Sequence, residues 1–455
     1  MEGAAKGLLQ KIGEIVWGWP MLVLFLGVGL WYTVQLRGIQ LRQLGTALRS
    51  IFRAEEGRGI SPYAALCTAL AATIGTGNIV GVATALAAGG PGALLWMLLA
   101  AFFGMATQYA ECFLAAKHRT REGFGGPFCY IERGLGRKAL AKLYAFIGAA
   151  AGILGVGTVT QVNSITSAVD AFFSSPEAFS GYSWAVVLSG AAVTVCSALV
   201  LLGGVRRISK VCETLVPLMS IAYVLCCMIL LLCCADRIPQ AIGLIVRSAF
   251  APKAALGALS GISFKMAVRM GISRGVFTNE AGLGTSAIAA ASANCSDPVR
   301  QGLVSMTGTF IDTIVICTMT GLCLVVTDAW CMPLQGVQIT DYAWATGLPW
   351  MQRLSSSILM VCLVFFAFAT IIGWNFYAER CLCYLTGGKQ TSWYRLLYLL
   401  AIALAPYYSV RSAWEAADIL NALLAVPNLL ALILLRRTVV DETKTALLKK
   451  RRKFM

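Results

Sequence analysis

The sequence predicts an all-α integral membrane protein of about eleven transmembrane helices. One N-terminal helix precedes a core divided into two five-helix halves of opposite orientation. Three observations carry this reading. Of the 455 residues, 58% are hydrophobic and only 13% charged, whereas a soluble domain carries about 25% charged residues. The apolar residues also come in long blocks, such as GWPMLVLFLGVGLWYTVQL from Gly18 to Leu36, close to the ~20 residues that cross a ~30 Å hydrocarbon layer. Finally, helix-length apolar segments are interrupted by TIGTGNIVG at 73–81 and FTNEAGLGTS at 277–286.

Spans are expected near 18–36, 62–88, 92–117, 142–172, 183–203, 210–234, 254–292, 298–326, 350–385, 393–410 and 414–435. The first block is too long for a signal peptide and lacks a small-residue cleavage site. Lys and Arg concentrate in alternate loops (37–61, 117–142, 203–212, 293–301, 380–395) and in the tail from 436. The intervening segments hold only Lys6, Lys11, Arg237, Arg247, Lys253 and Arg411. The positive-inside rule therefore places the C-terminus in the cytoplasm and the N-terminus outside. The tail KKRRKFM is expected against anionic lipid headgroups.

Several function classes are excluded. The net charge of +16 does not point to nucleic acid, because no basic stripe is interleaved with exposed aromatics. The 16 cysteines mostly lie inside apolar spans as small hydrophobes, with no C-x-x-C pair. His118 is the only histidine, so no histidine-ligated metal is expected. Phosphate-cradling, dinucleotide and zinc-protease motifs are missing, and no loop is long enough for a nucleotide-binding region. A membrane transferase would need an Asp-rich or His/Asp constellation at one face. A channel would need a continuous polar stripe or symmetric filter loops. Neither pattern is present, and the chain reads as no enzyme.

The domain organisation follows from the spans. Residues 1–61 form the N-terminal helix and a cytoplasmic loop, 62–234 the first half, 235–253 an outer connector, 254–435 the second half and 436–455 the basic tail. Each glycine-broken segment is then the first member of its half, the placement that marks a transporter's binding site. In lipid every peptide group must be paired, so irregular backbone survives only where it is buried in protein or lines a cavity. Freed carbonyls can replace the water shell of a cation, and amides at a half-helix N-terminus attract an anion. Na⁺ together with a small zwitterion fits such a site. For GVATALAAGGPGA at 81–93, tight helix packing by small residues is the preferred explanation of the composition.

The motifs carry a family resemblance. GTGNIVGVATAL followed by GGPGALLWMLLAAFFGMATQYAEC, then GVFTNEAGLGTS and FAFATIIGWNFYAERC, resemble in order and spacing the signature regions of the alanine or glycine:cation symporters. That family is sodium-coupled and related to the LeuT-type inverted-repeat fold. The resemblance implies a bacterial cytoplasmic-membrane protein with Na⁺ as coupling ion and a small neutral amino acid, alanine or glycine, as cargo. It implies a Na⁺ position at Ala71, Ile74, Phe366, Ala369 and Thr370, with oxygens from the Ala71, Ile74 and Phe366 carbonyls and the Thr370 hydroxyl. Two departures stand out. Leu95 and Leu98 flank Trp96-Met97 where the family has aromatics. Ala369-Thr370 stands where it commonly has two hydroxyl residues, which leaves proton coupling as an alternative.

The substrate carboxylate is expected at the amides of Thr76, Gly77 and Asn78, within reach of Thr73, and its ammonium at carbonyls of Phe277 and Thr278. Gln161 adds a polar contact or a helix–helix hydrogen bond. Thr370 borders both ligands, and Phe277 and Trp374 limit side-chain volume unless they are plain packing. Ionisable residues inside spans are functional candidates by default. Glu280 is expected to brace the second break by accepting amide protons. Glu111 and Glu379 suit salt bridges near cytoplasmic helix ends, and Lys265, Arg269 and Arg274 the wall of an outer vestibule. Asp312 is noted without a role.

Overall fold

The computed structural model describes residue 13 and residues 16–53, 60–120, 123–173, 177–179, 182–251, 263–388, 392–408 and 410–452. Lys6, Lys11, Lys253 and tail residues 453–455 lie outside the described residues. Among the described residues the fold is helical apart from a short antiparallel pair, Glu177–Phe179 with Tyr182–Ser183. Helix starts follow local chemistry. Ser61 accepts the Ala64 amide at 3.0 Å ahead of Pro62, and Asp297 accepts the Val299 amide at 2.9 Å ahead of Pro298. Each pairs a side-chain cap with a proline at the first helical position.

Among the described residues, 7 helices are long and apolar enough to cross a membrane. The pair Pro62–Thr73 and Gly77–Gly89, bent by 52°, makes up to 8. This count is lower than the expected eleven, for identifiable reasons. Trp19–Gln35 is apolar but has 17 residues. Ser392–Leu404 has 13 and runs into the turn at Ala405–Tyr407, where Pro406 cannot continue a helix. The second broken segment is divided into Phe264–Asn279 and Thr285–Ala291, and Lys265, Arg269 and Arg274 dilute its apolarity.

Burial separates centre from periphery. Gly92–His118 is 67% buried over its most apolar window, whereas Trp184–Leu201 is 28% buried and exposes Leu188, Val195 and Leu199. Apolar side chains facing outward on a peripheral helix are what hydrocarbon solvates. Phe264–Asn279 and Pro298–Thr309 pack on Gly92–His118, while Gln352–Leu385 packs on Lys138–Leu154 and on Pro62–Thr73. The two broken segments thus meet at the middle, between the Gly92–His118 group and the Gln352–Leu385 group.

Candidate functional site

The first break begins where Ile74 leaves helical geometry (φ −76°, ψ 91°) and ends where a π-helical turn, Gly77–Gly81, leads into Val82–Gly89. A continued α-helix would send each amide to the carbonyl four residues back. Here the Gly75 amide donates instead to Asn78 Oδ1 at 3.0 Å, and the Thr76 amide to Gln161 Oε1 at 3.4 Å. The Asn78 amide donates to the Gly75 carbonyl at 3.2 Å. The carbonyls of Ala71, Ala72 and Ile74 thereby lose their helical donors. Thr370 Oγ1 lies 3.4 Å from the Ile74 carbonyl oxygen and 3.1 Å from that of Phe366. Three of the oxygens expected around Na⁺ therefore converge on one spot.

The second break repeats the device. The Ala281 amide donates to Asn279 Oδ1 at 3.0 Å and the Gly282 amide to Glu111 Oε1 at 2.9 Å. In an unbroken helix those amides would occupy the carbonyls of Phe277 and Thr278. Glu280 (φ 55°) and Gly282 (φ 97°) turn the chain through left-handed geometry, which glycine adopts freely and glutamate does not. Glu280 is held there by its carboxylate, which accepts from Trp374 Nε1 at 2.8 Å and from the Thr285 hydroxyl.

The two breaks touch. A Cβ built on Gly77 would lie 2.7 Å from Thr278 Cγ2 and 3.4 Å from Phe277 Cδ1. Both are also tied to a second π-helical turn, Phe310–Cys317. Asn78 Nδ2 donates to Asp312 Oδ1 at 2.8 Å, and Asn279 Nδ2 to Thr313 Oγ1 at 3.2 Å. Each asparagine thus captures a backbone amide with its oxygen and anchors to neighbouring residues with its nitrogen. Such π-turns occur preferentially at functional sites.

The structure corrects several expectations. The Asn78 amide is used inside its own turn and its side chain ties the break to Asp312, so Asn78 shapes the site from behind. Thr73 turns its hydroxyl to the Leu70 carbonyl of its own helix. Thr76 Oγ1 is buried without a hydrogen bond. Gln161 bonds the break itself rather than serving only as a helix–helix contact. Glu280 accepts from side-chain donors, and the amide-accepting brace is Glu111. Glu111 is fully buried and bonded to Gly282 and Asn428 rather than ion-paired at a helix end. Glu379 does form the expected salt bridge, to Arg395 at 2.6 Å. Ala369 is buried and brings no side-chain oxygen.

Phe277 stacks on Trp414 with ring centroids 5.0 Å apart, and the Arg274 guanidinium lies over both rings. Arg274 pairs with Asp418 through both nitrogens, at 2.9 and 3.2 Å. This layer floors a cavity of about 900 Å³, lined also by Val80, Thr84, Asn163 and Glu415, toward the Gly89 end of the first broken segment. Of the three basic residues expected at a vestibule, Arg274 lines it. At the opposite end, Ile60 pairs with Ala293 in a backbone bridge, and Arg119 donates to the carbonyls of Ala291, Ala293 and Cys295.

Trp374 is braced through Glu280 and packs its Cβ within 2.6 Å of a Cβ built on Gly157. Trp374→Phe removes the indole donor and leaves a buried carboxylate oxygen unpartnered, at a cost of about 1–3 kcal/mol. A lowered unfolding temperature is the expected result, and an unchanged one contradicts the brace.

Two broken helices in contact, with the freed Ile74 carbonyl beside the buried Thr370 hydroxyl, form the arrangement that marks a membrane transporter's binding site. A crystal structure of MhsT in complex with L-phenylalanine aligns with a TM-score of 0.60 over 83% of this chain and 90% of that one, at 14% identity. At that identity the likeness establishes the fold, which is of the LeuT type. The sequence profile of the sodium:alanine symporter family matches residues 2–453. An uncharacterized transporter of Haemophilus influenzae is 49% identical over 446 residues, covering 96% of this chain and 95% of its own. The sodium/alanine symporter AgcS of Methanococcus maripaludis is 42% identical over 453 residues, 96% of each chain. The chain belongs to the sodium:alanine symporter family.

Proposed function

We propose that the protein carries a small neutral amino acid, alanine or glycine, into the cell together with Na⁺ by alternating access. The observation that carries this reading is the diversion of the Gly75, Thr76 and Asn78 amides, which frees the Ala71, Ala72 and Ile74 carbonyls, the last of them beside Thr370. Calcium sits about 2.3–2.6 Å from its oxygens, and Na⁺ is nearly the same size. Neighbouring oxygens of an octahedral shell then lie roughly 3.3–3.7 Å apart. The 3.1 and 3.4 Å separations around Thr370 are close to that spacing.

The substrate carboxylate is assigned to the start of the Gly77–Gly81 turn, where the first amides have no intrahelical acceptor. The buried Thr76 hydroxyl is its side-chain partner. The ammonium is assigned to the freed carbonyls of Phe277 and Thr278, where the C-terminal end of a half-helix favours positive charge. Phe277, closed over Gly77 by Trp414, limits the side chain to about the size of a methyl group. Opening requires the Arg274–Asp418 layer to part on one side and the Ile60–Ala293 bridge on the other. The relative AgcS is named for sodium and alanine, which agrees with this cargo.

Ala369 favours a second reading, proton coupling, since one expected side-chain oxygen is missing. Purified protein in liposomes separates the two. Labelled alanine uptake should collapse when external Na⁺ is replaced by choline and persist without a pH gradient. Uptake that ignores choline replacement and follows an imposed pH gradient assigns the coupling to protons.

A further inference from the structure

We propose that Glu111 is a proton-binding site, carrying its proton on Oε2 while the second break is clasped and giving it up when the clasp opens. The clasp is a closed ring. Glu111 Oε1 accepts from the Gly282 amide at 2.9 Å and from Asn428 Nδ2 at 2.6 Å, while the same Asn428 nitrogen donates to the Gly282 carbonyl at 2.8 Å. The Tyr130 hydroxyl donates to Asn428 Oδ1. One residue of the break, Gly282, is thus gripped at its amide and at its carbonyl by Gly92–His118 and Val410–Leu434, two helices far apart in the chain.

Within this ring only one carboxylate oxygen is used. The Gly284 amide also faces the carboxylate, yet Oε2 makes no hydrogen bond. The titratable groups facing Glu111 are Glu280 on the broken segment, Tyr32, Tyr130, Tyr144 and the adjacent Cys112. None of them is a cation. Glu280 and Asp312 are likewise completely buried, and their described partners are neutral donors. Three carboxylates around one site, with no Lys or Arg bonded to any of them, would impose a large desolvation cost if all were ionised. One Na⁺ beside Thr370 offsets a single charge. A proton offsets another, and Oε2 is the oxygen left free to hold it.

The proton balance is simple. A proton from cytoplasmic water forms the O–H bond at Oε2, and the same proton returns to water when the Val410–Leu434 helix withdraws Asn428. Glu111 lies about 10 Å along the helix from its His118 end, so a modest opening on that side wets it. Deprotonation at alkaline pH therefore disfavours the clasped state.

The test compares the wild type with Glu111→Gln, whose amide keeps the Oε1 acceptor and mimics the neutral acid. The uptake arm rests on the symport reading, whereas the infrared arm does not. With saturating Na⁺, wild-type alanine uptake should fall on an alkaline limb, approaching about tenfold per pH unit, and E111Q should transport without that limb. Infrared difference spectra of the wild type near neutral pH should contain a protonated carboxylic-acid stretch, part of which E111Q removes. An E111Q profile that keeps the alkaline limb, or a spectrum unchanged by the substitution, overturns the proposal. If E111Q does not fold, the wild-type spectrum decides: loss of the acid band between neutral and alkaline pH, also in E280Q and D312N, supports it. Absence of any such band at neutral pH overturns it. Failure of the wild type to move alanine at all, with the band intact, would sink the cargo assignment and leave the proton site standing.

Discussion

Asn78→Ala is expected to abolish alanine uptake while the protein still folds and inserts. The side chain performs two tasks, holding the Gly75 amide through Oδ1 and the Asp312 carboxylate through Nδ2. Without Oδ1, the Gly75 amide is free to return to the Ala71 carbonyl and rewind the helix, closing the oxygen cluster. Without Nδ2, a buried carboxylate loses a donor. A neutral hydrogen bond is worth about 0.5–1.5 kcal/mol and one to a charged group about 1.5–3 kcal/mol, so the pair corresponds to a loss of roughly thirtyfold or more. Initial rates in liposomes, with the unfolding temperature as a folding control, measure it. Wild-type uptake by the variant would remove the first break from the transport site. Asn78→Asp should also fail, because it keeps the acceptor but sets a second carboxylate against Asp312.

Gly75→Ala has the other large expected effect, and it falls on the cation. A Cβ at Gly75 would lie 2.3 Å from Thr370 Oγ1 and 3.4 Å from Gln161 Oε1. Gly75 is not among the residues with positive φ, so the conflict is steric and not conformational. The methyl group displaces the Thr370 hydroxyl from between the Ile74 and Phe366 carbonyls. Stabilisation by Na⁺ is then expected to vanish, because a ligand raises stability only as far as it binds the folded form. Combining G75A with Thr370→Ala removes the clash and should restore the unfolding temperature without restoring the Na⁺ response. Persistence of that response in G75A would place the cation elsewhere.

How much of this was legible in the chain can be judged residue by residue. The breaks were, because Gly, Thr and Asn clustered at 75–78 and 278–284 cannot form an ordinary lipid-buried helix. The resemblance pointed to Thr370, Ile74 and Phe366, which the fold brings together. Glu111, Asn279, Asn428 and Thr313 were not assigned their parts, although an acid inside an apolar span was a signal for Glu111 and Asp312. Fewer than eleven of the described helices are long and apolar enough by themselves to cross a membrane, because hydropathy blocks do not reveal where Pro406 ends a helix or where basic residues thin an apolar stretch.

Composition and periodicity determined that the chain lives in a membrane as a helical protein, since apolar blocks of that length have no other stable environment. They also located its two weak points. Which carbonyls those weak points release was decided only in three dimensions. The Thr76 amide is taken by Gln161 from 85 residues away, Asn78 reaches Asp312 across 234, and Asn428 meets Glu111 across 317. A helix break in lipid must find partners for its stranded peptide groups. Those partners come from whichever helices pack beside it, and local sequence carries no record of that choice.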